Sequence, residues 1–193
     1  MKFECTKYKK VGFLMVNSGK IDITDPCYNR DVWCRMNNIT VKPGKYKCYV
    51  SVLKGKMAKE WGKRIVSMMI VHDQADLSEP LGLDEIGSVG VDAGLMSIAE
   101  SGVKPDYSDA EWQNACFQLD ELEKEALQGT RSGIDAFVTP KFSTGKRKKK
   151  QFWASSGFGD GVYGVYAVDS HNQGAREFVP DAVQVEFIEP FED

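Results

Sequence analysis

The chain has 193 residues, 42% of them hydrophobic and 27% charged, enough for one globular domain and short for two, a balance that argues against membrane-spanning, collagen-like and disordered classes. A net charge of −3 argues against a uniformly basic nucleic-acid coat, but it is a cancellation: residues 1–75 carry 15 Lys and Arg against 6 Asp and Glu, residues 76–135 carry 3 against 14, and residues 136–193 carry 7 against 8. The first ten residues are polar and no apolar run reaches the length of a signal or a membrane span, so a cytosolic protein is expected.

Most of the chain is short apolar or alternating segments punctuated by Gly, Asn, Asp and Pro, the pattern of strands. Val11–Val16, the turn Asn17-Ser18-Gly19, and Lys20–Ile23 read as a hairpin. Asp25-Pro26 breaks the second strand and offers a helix start, a short turn from Pro26 to about Trp33. Lys45–Leu53 alternates, with Tyr46, Cys48, Val50 and Val52 on one face, and Arg64–His72 is apolar on both faces, as a central covered strand is. Ser88–Val91 and Leu95–Ile98 flank Asp92-Ala93-Gly94, a second hairpin pattern in which Asp92–Ile98 matches Asn17–Ile23 position by position. Internal duplication and two independent Asx-x-Gly turns both account for the match.

Ser108-Asp109-Ala110-Glu111 is a capping box, and Trp112, Ala115, Cys116, Leu119, Leu122 and Ala126 follow at helical spacing, which predicts one long amphipathic helix over about 108–128 with an acidic outer face. Strands are expected at Ile134–Val138, Phe152–Ala154, Val162–Asp169, Arg176–Val179 and Val183–Ile188. Short connections favour antiparallel pairing. The expected fold is therefore α+β over residues 1–193: a mainly antiparallel or mixed sheet, sandwich-like, with the long helix packed on it.

Five cysteines, Cys5, Cys27, Cys34, Cys48 and Cys116, follow no C-x-x-C spacing and are expected as free thiols; a zinc site from Cys27, Cys34 and a histidine is the alternative. Ser155–Tyr163 places glycines 157, 159 and 161 around Asp160. Such a loop permits positive φ and close approach of an anion to backbone amides, which makes Gly157, Gly159, Asp160, Gly161 and Tyr163 candidate ligand-binding residues; the plainer reading is a glycine-rich turn. Lys146, Arg147, Lys148, Lys149 and Lys150 form a basic run able to contact an anion, with Phe152 and Trp153 beside it for stacking, or a solvated loop. Asp22, Asp25, Asp92 and Asp160 would serve a metal-assisted hydrolase if the fold brought them together. His72 and His171 accompany no catalytic signature, and no catalytic set is recognised.

The elements Gly19–Tyr28, Val91–Gly94 and Ser156–Tyr166 resemble those of a group of bacterial and phage proteins of unknown function, which share a D-S-G-x-x-x-x-x-D-P-x-Y-like element and an S-G-x-G-D-G-x-Y-x-x-Y element. Here Asn17 stands at the first acidic position and Gly164 where proline is frequent. The resemblance implies no activity, but it implies phage or mobile-element origin. The reading at this point is a binding module that holds a small anionic ligand or a partner protein at the glycine-rich loop, with no cofactor. A hydrolase or phosphodiesterase and a nucleic-acid contact through the basic run are the alternatives, and homo-oligomers fit the divided charge.

Overall fold

The computed structural model describes residues 4–26, 34–75, 84–92, 94–103, 151–168 and 179–188. They form ten strands, β1 (Lys9–Val16), β2 (Lys20–Thr24), β3 (Met36–Thr40), β4 (Gly44–Val52), β5 (Ile65–His72), β6 (Asp84–Val91), β7 (Leu95–Glu100), β8 (Gln151–Ser155), β9 (Gly161–Val168) and β10 (Ala182–Glu186), with one helix, α1 (Gly55–Trp61). The strands build a six-stranded sheet of order β1-β4-β5-β10-β9-β6 and a four-stranded sheet of order β3-β2-β7-β8, antiparallel at every pairing.

Side-chain period dictates this arrangement. Tyr46, Cys48 and Val50 of β4, fully buried, share the inner face with Leu14 and Val16 of β1 and with Tyr163, Val165 and Ala167 of β9. From the small sheet, Ile21 and Ile23 of β2, Met96 and Ile98 of β7, and Phe152 and Ala154 of β8 enter the same core. Each sheet thus removes the other's apolar face from water, worth roughly 1.5–3 kcal/mol for each large side chain fully buried. Strand β5 is buried at every position, as its two-sided apolarity predicts: β4 and β10 flank it, and a second cluster of Met69, Val71, Val168 and Ala182 lies apart from the main core.

Two expectations are corrected. The fold is nearly all-β, not α+β: the one helix among the described residues is the seven-residue α1, and the core between the two sheets is built from strands. The segment at 108–128 lies outside the described residues, as do the short turn of residues 27–33, the strand at 134–138 and all but the last residue of the strand at 176–179. Neither Asx-x-Gly turn closes a hairpin. Strand β1 pairs with β4 while β2 pairs with β3 and β7, and β6 pairs with β9 while β7 pairs with β2 and β8, so both turns are corners at which the chain leaves the large sheet for the small one.

Strand β3, Met36-Asn37-Asn38-Ile39-Thr40, carries no apolar alternation; its pairing with β2 is irregular between Ile21 and Ile23, and Asn38 has φ of +57°. No helix of the described residues is long and apolar enough to cross a membrane.

Candidate functional site

The corners are built alike. Gly19 at φ +67° and Gly94 at φ +70° turn the chain where a side chain would strain it, and each offers its carbonyl to the next strand connection: Val41 N–H donates to Gly19 O at 2.9 Å and Ser156 N–H to Gly94 O at 2.9 Å. Each corner also donates amides to a buried carboxylate. Asn17 and Ser18 donate to Glu100 Oε1 at 2.7 and 2.9 Å, and Asp92 donates to Asp25 Oδ2 at 3.1 Å. Amide donors hold a carboxylate well in a dry site, so Asp25 and Glu100 work as structural pins. The three elements of the resemblance are thereby tied together, the first to the second through Asp25 and Asp92, and the second to the third through Gly94 and Ser156.

The glycine-rich loop closes on itself. Gly159 N–H donates to Ser156 O at 2.9 Å, Ser156 Oγ donates to Gly159 O at 2.8 Å, and the Tyr163 hydroxyl lies 2.9 and 2.6 Å from the carbonyl oxygens of Ser156 and Gly159. Gly157, at φ +59°, is buried so tightly that a Cβ there would sit 2.9 Å from Cβ of Phe187. Of the candidate ligand-binding residues, then, Gly157, Gly159 and Tyr163 shape the turn, Gly161 pairs with Val91 in the sheet, and Asp160 is exposed. The tip of the loop is Phe158, 48% exposed.

Against that tip stands a group with no counterpart in the sequence-derived candidates. The Trp61 ring meets Phe158 edge to face, centroids 5.3 Å apart, and the Arg64 guanidinium lies 5.7 Å from the Phe158 centroid while its Nη1 donates to Gly157 O at 3.4 Å. Arg64 Nε donates to Trp61 O at 3.0 Å, which ties the group to the end of α1. Trp61 is 40% exposed, and the same segment carries the exposed Lys54, Lys56, Lys59 and Lys63, with Glu60 as its one acid, 3.7 Å from Lys56. The signal is present as Lys54-Gly55-Lys56-Met57-Ala58-Lys59-Glu60-Trp61-Gly62: Met57, Ala58 and Trp61 recur at helical spacing between two glycines, and buried Met57 anchors the turn.

Of the aspartates considered for metal-assisted hydrolysis, Asp22 and Asp25 are buried with other partners, and Asp92 and Asp160 are exposed. Asp22 lies 3.6 Å from the Arg35 guanidinium, both side chains buried, and accepts from Asn38 N–H at 2.8 Å and Ser101 Oγ at 2.6 Å. Among the described residues no three of His, Cys, Asp and Glu come together as a metal ion requires. His72 Nδ1 accepts from Gln74 N–H at 3.3 Å, which leaves Nε2 as the donor to Pro43 O at 3.3 Å and occupies both ring nitrogens. His171, Cys27, Cys116 and Lys146–Lys150 lie outside the described residues; Cys5, Cys34 and Cys48 are free thiols, and burial pushes the Cys48 thiol far above its ordinary range.

Residues 14–176 match the model of a family described as a protein of unknown function, DUF4241. No curated protein and no solved structure matches the chain.

Proposed function

The chain belongs to DUF4241, a family of unknown function, over most of its length, and on the geometry of its surface we propose that it is a binding protein that takes an acidic partner protein on the surface formed by α1 and the tip of the glycine-rich loop. The observation that carries this reading is the exposed pair Trp61 and Phe158 with the half-buried Arg64 beside it, on a segment that also carries the exposed Lys54, Lys56, Lys59 and Lys63, of which Lys56 pairs with Glu60 at 3.7 Å. Trp, Tyr and Arg side chains dominate binding energy at protein interfaces, and neighbouring cations select an acidic counterpart and speed its approach. The closed turn favours a partner protein over a small anion: carbonyls are gathered within it, and what it exposes is the Phe158 ring and the Asp160 carboxylate, neither of which attracts an anion. A nucleic acid fits less well, because the Trp61 edge and the Arg64 guanidinium already occupy Phe158, whereas base stacking needs an open ring face.

The test uses fluorescently labelled poly-L-glutamate as an acidic polypeptide probe, read by anisotropy at several salt concentrations. Binding that weakens with salt and falls at least tenfold in Phe158→Ala and in Lys56→Glu/Lys59→Glu is expected. Unchanged binding in both variants overturns the reading, and so does tighter binding of a single-stranded oligonucleotide of equal charge.

A further inference from the structure

Both sheets read the same from either edge when each strand is exchanged for the one five places along: β1 for β6, β2 for β7, and so on to β5 for β10. The equivalence holds residue by residue. Leu14 faces Tyr46 and Val16 faces Gly44 across β1 and β4; Val89 faces Tyr163 and Val91 faces Gly161 across β6 and β9. The register slips between Lys10 and Gly12 in the first pair, and at the equivalent place, between Glu85 and Gly87, in the second.

Connections repeat as well as strands. His72 N–H donates to Asp181 O at 2.8 Å, and Phe187 N–H to Val66 O at 2.8 Å, which makes His72 the counterpart of Phe187 and Val66 that of Asp181. The Tyr46 hydroxyl donates to Lys42 O at 2.7 Å as that of Tyr163 approaches Gly159 O at 2.6 Å, and each tyrosine meets its neighbour edge to face, His72 at 5.1 Å and Phe187 at 5.2 Å. The pins are exchanged too, since Asp25 of the first half holds Asp92 of the second and Glu100 of the second holds Asn17 of the first. On a two-fold axis a residue must pair with its own counterpart. Ile23 pairs with Ile98 in the small sheet, and Met69 pairs with Gln184 in the large one, each with the residue that the registers and loop bonds assign to it. The numbering difference between the copies widens after β7, because the connection from Glu100 to Gln151 is far longer than its counterpart from Thr24 to Met36.

We infer that the chain is a fused two-fold pair, two copies of one five-stranded unit over residues 4–75 and 84–188, each of which takes the other as its partner through β2 with β7 and β5 with β10. A single Asx-x-Gly match can arise by convergence; agreement in strand order, register, slip position, loop bonds and axis residues does not. The copies have since diverged in charge. Among the described residues the first carries thirteen Lys and Arg against five Asp and Glu, and the second carries seven Asp and Glu with no Lys or Arg. Opposite charge now lies across what is a symmetric interface in a true homodimer, and α1, with its lysines, belongs to the basic copy. This inference stands on register and loop bonds and does not depend on the partner proposed above.

Symmetry fixes a distance that can be tested. The gap from Phe187 to Lys9 must equal the gap from His72 to Asp84, which residues 73–83 bridge; residues 188–193 and 1–8, joined end to end, form a slightly longer span. A circular permutant with Asp193 joined directly to Met1 and the chain opened within residues 76–83 is therefore expected to fold with no added linker, to keep the far-UV spectrum, and to melt within about 10 °C of the parent, because a loop of similar length has moved. In parallel, the full chain carrying a protease site within residues 76–83 is cut after folding, and the two fragments are expected to co-elute and melt in one transition. A permutant that does not fold while the cut chain holds together overturns the equivalence of the gaps and the inference with it. Fragments that separate as two folded bodies overturn it as well.

Discussion

Gly157→Ala separates a turn whose glycines serve the fold from a loop whose glycines serve a ligand. At φ +59° the new side chain adopts a backbone region that costs about 1–3 kcal/mol. Its Cβ would also lie 2.9 Å from Phe187 Cβ, 3.1 Å from Ile188 Cγ1 and 3.3 Å from Phe187 O. Two of these three atoms are fixed by the backbone, so relief requires the chain after β10 to shift, and overpacking of this kind adds roughly 1–3 kcal/mol. Gly159 has nothing within 4 Å of an added Cβ, so Gly159→Ala carries a backbone cost alone, at a φ of +106° that lies outside the small left-handed region open to residues with a side chain. Urea unfolding followed by circular dichroism is expected to place Gly157→Ala about 2–6 kcal/mol below the parent, the backbone and packing costs together. A Gly157→Ala protein as stable as the parent rules out a tightly packed turn and returns the loop to the candidate ligand sites.

Asp25→Ala removes the acceptor of the Asp92 amide and is expected to cost about 1–3 kcal/mol in chemical denaturation, most of it recovered in Asp25→Asn, which keeps a side-chain oxygen. Cys48, fully buried with its thiol pushed up by desolvation, is expected to stay unmodified by iodoacetamide at about pH 8 in the native protein and to react on unfolding, as read by peptide mass spectrometry. The Tyr8 hydroxyl lies 2.8 Å from Ser67 Oγ and donates to Gln184 Oε1 at 2.7 Å, and burial pushes its pKa up to about 12. A raised folded-state pKa means stability present in full below the ordinary tyrosine range near 10 and lost as pH rises through about 12; a Tyr8→Phe protein is expected to lose less stability across that window in a pH series of thermal melts.

Strands whose faces alternate, or whose two faces are both apolar, are legible in the sequence: β4, β5 and β9 lie where period and composition put them, because burial acts on each residue through its own side chain. Strand β3 is not legible. It is polar, holds its place by pairing with β2, and its Asn38 amide is taken by Asp22, a partner that no local pattern announces. The two corners read as hairpins because Asx-x-Gly fixes a change of direction and leaves open which strand accepts the hydrogen bonds afterwards. The position of the glycine-rich loop is plain from composition, but the self-closing bonds around Ser156 and Tyr163 are invisible in one dimension. Trp61 and Arg64 carry little signal, because a helix this short between glycines barely registers in a periodicity, and their role rests on contact with Phe158, far along the chain.

The place of β10 in the large sheet bears on how the molecule is made. Residues 182–186 fill a slot between β5 and β9, so a nascent chain holds β1, β4 and β5 with an open strand edge at β5 until β10 has emerged. Closure must then pair β10 with β5, placing Met69 opposite Gln184 although the two are far apart along the chain, the kind of contact that slows folding and leaves unpaired edges exposed meanwhile. Residues 1–75 carry 15 Lys and Arg against 6 Asp and Glu, and like charge of this kind opposes edge-to-edge pairing between unfinished chains.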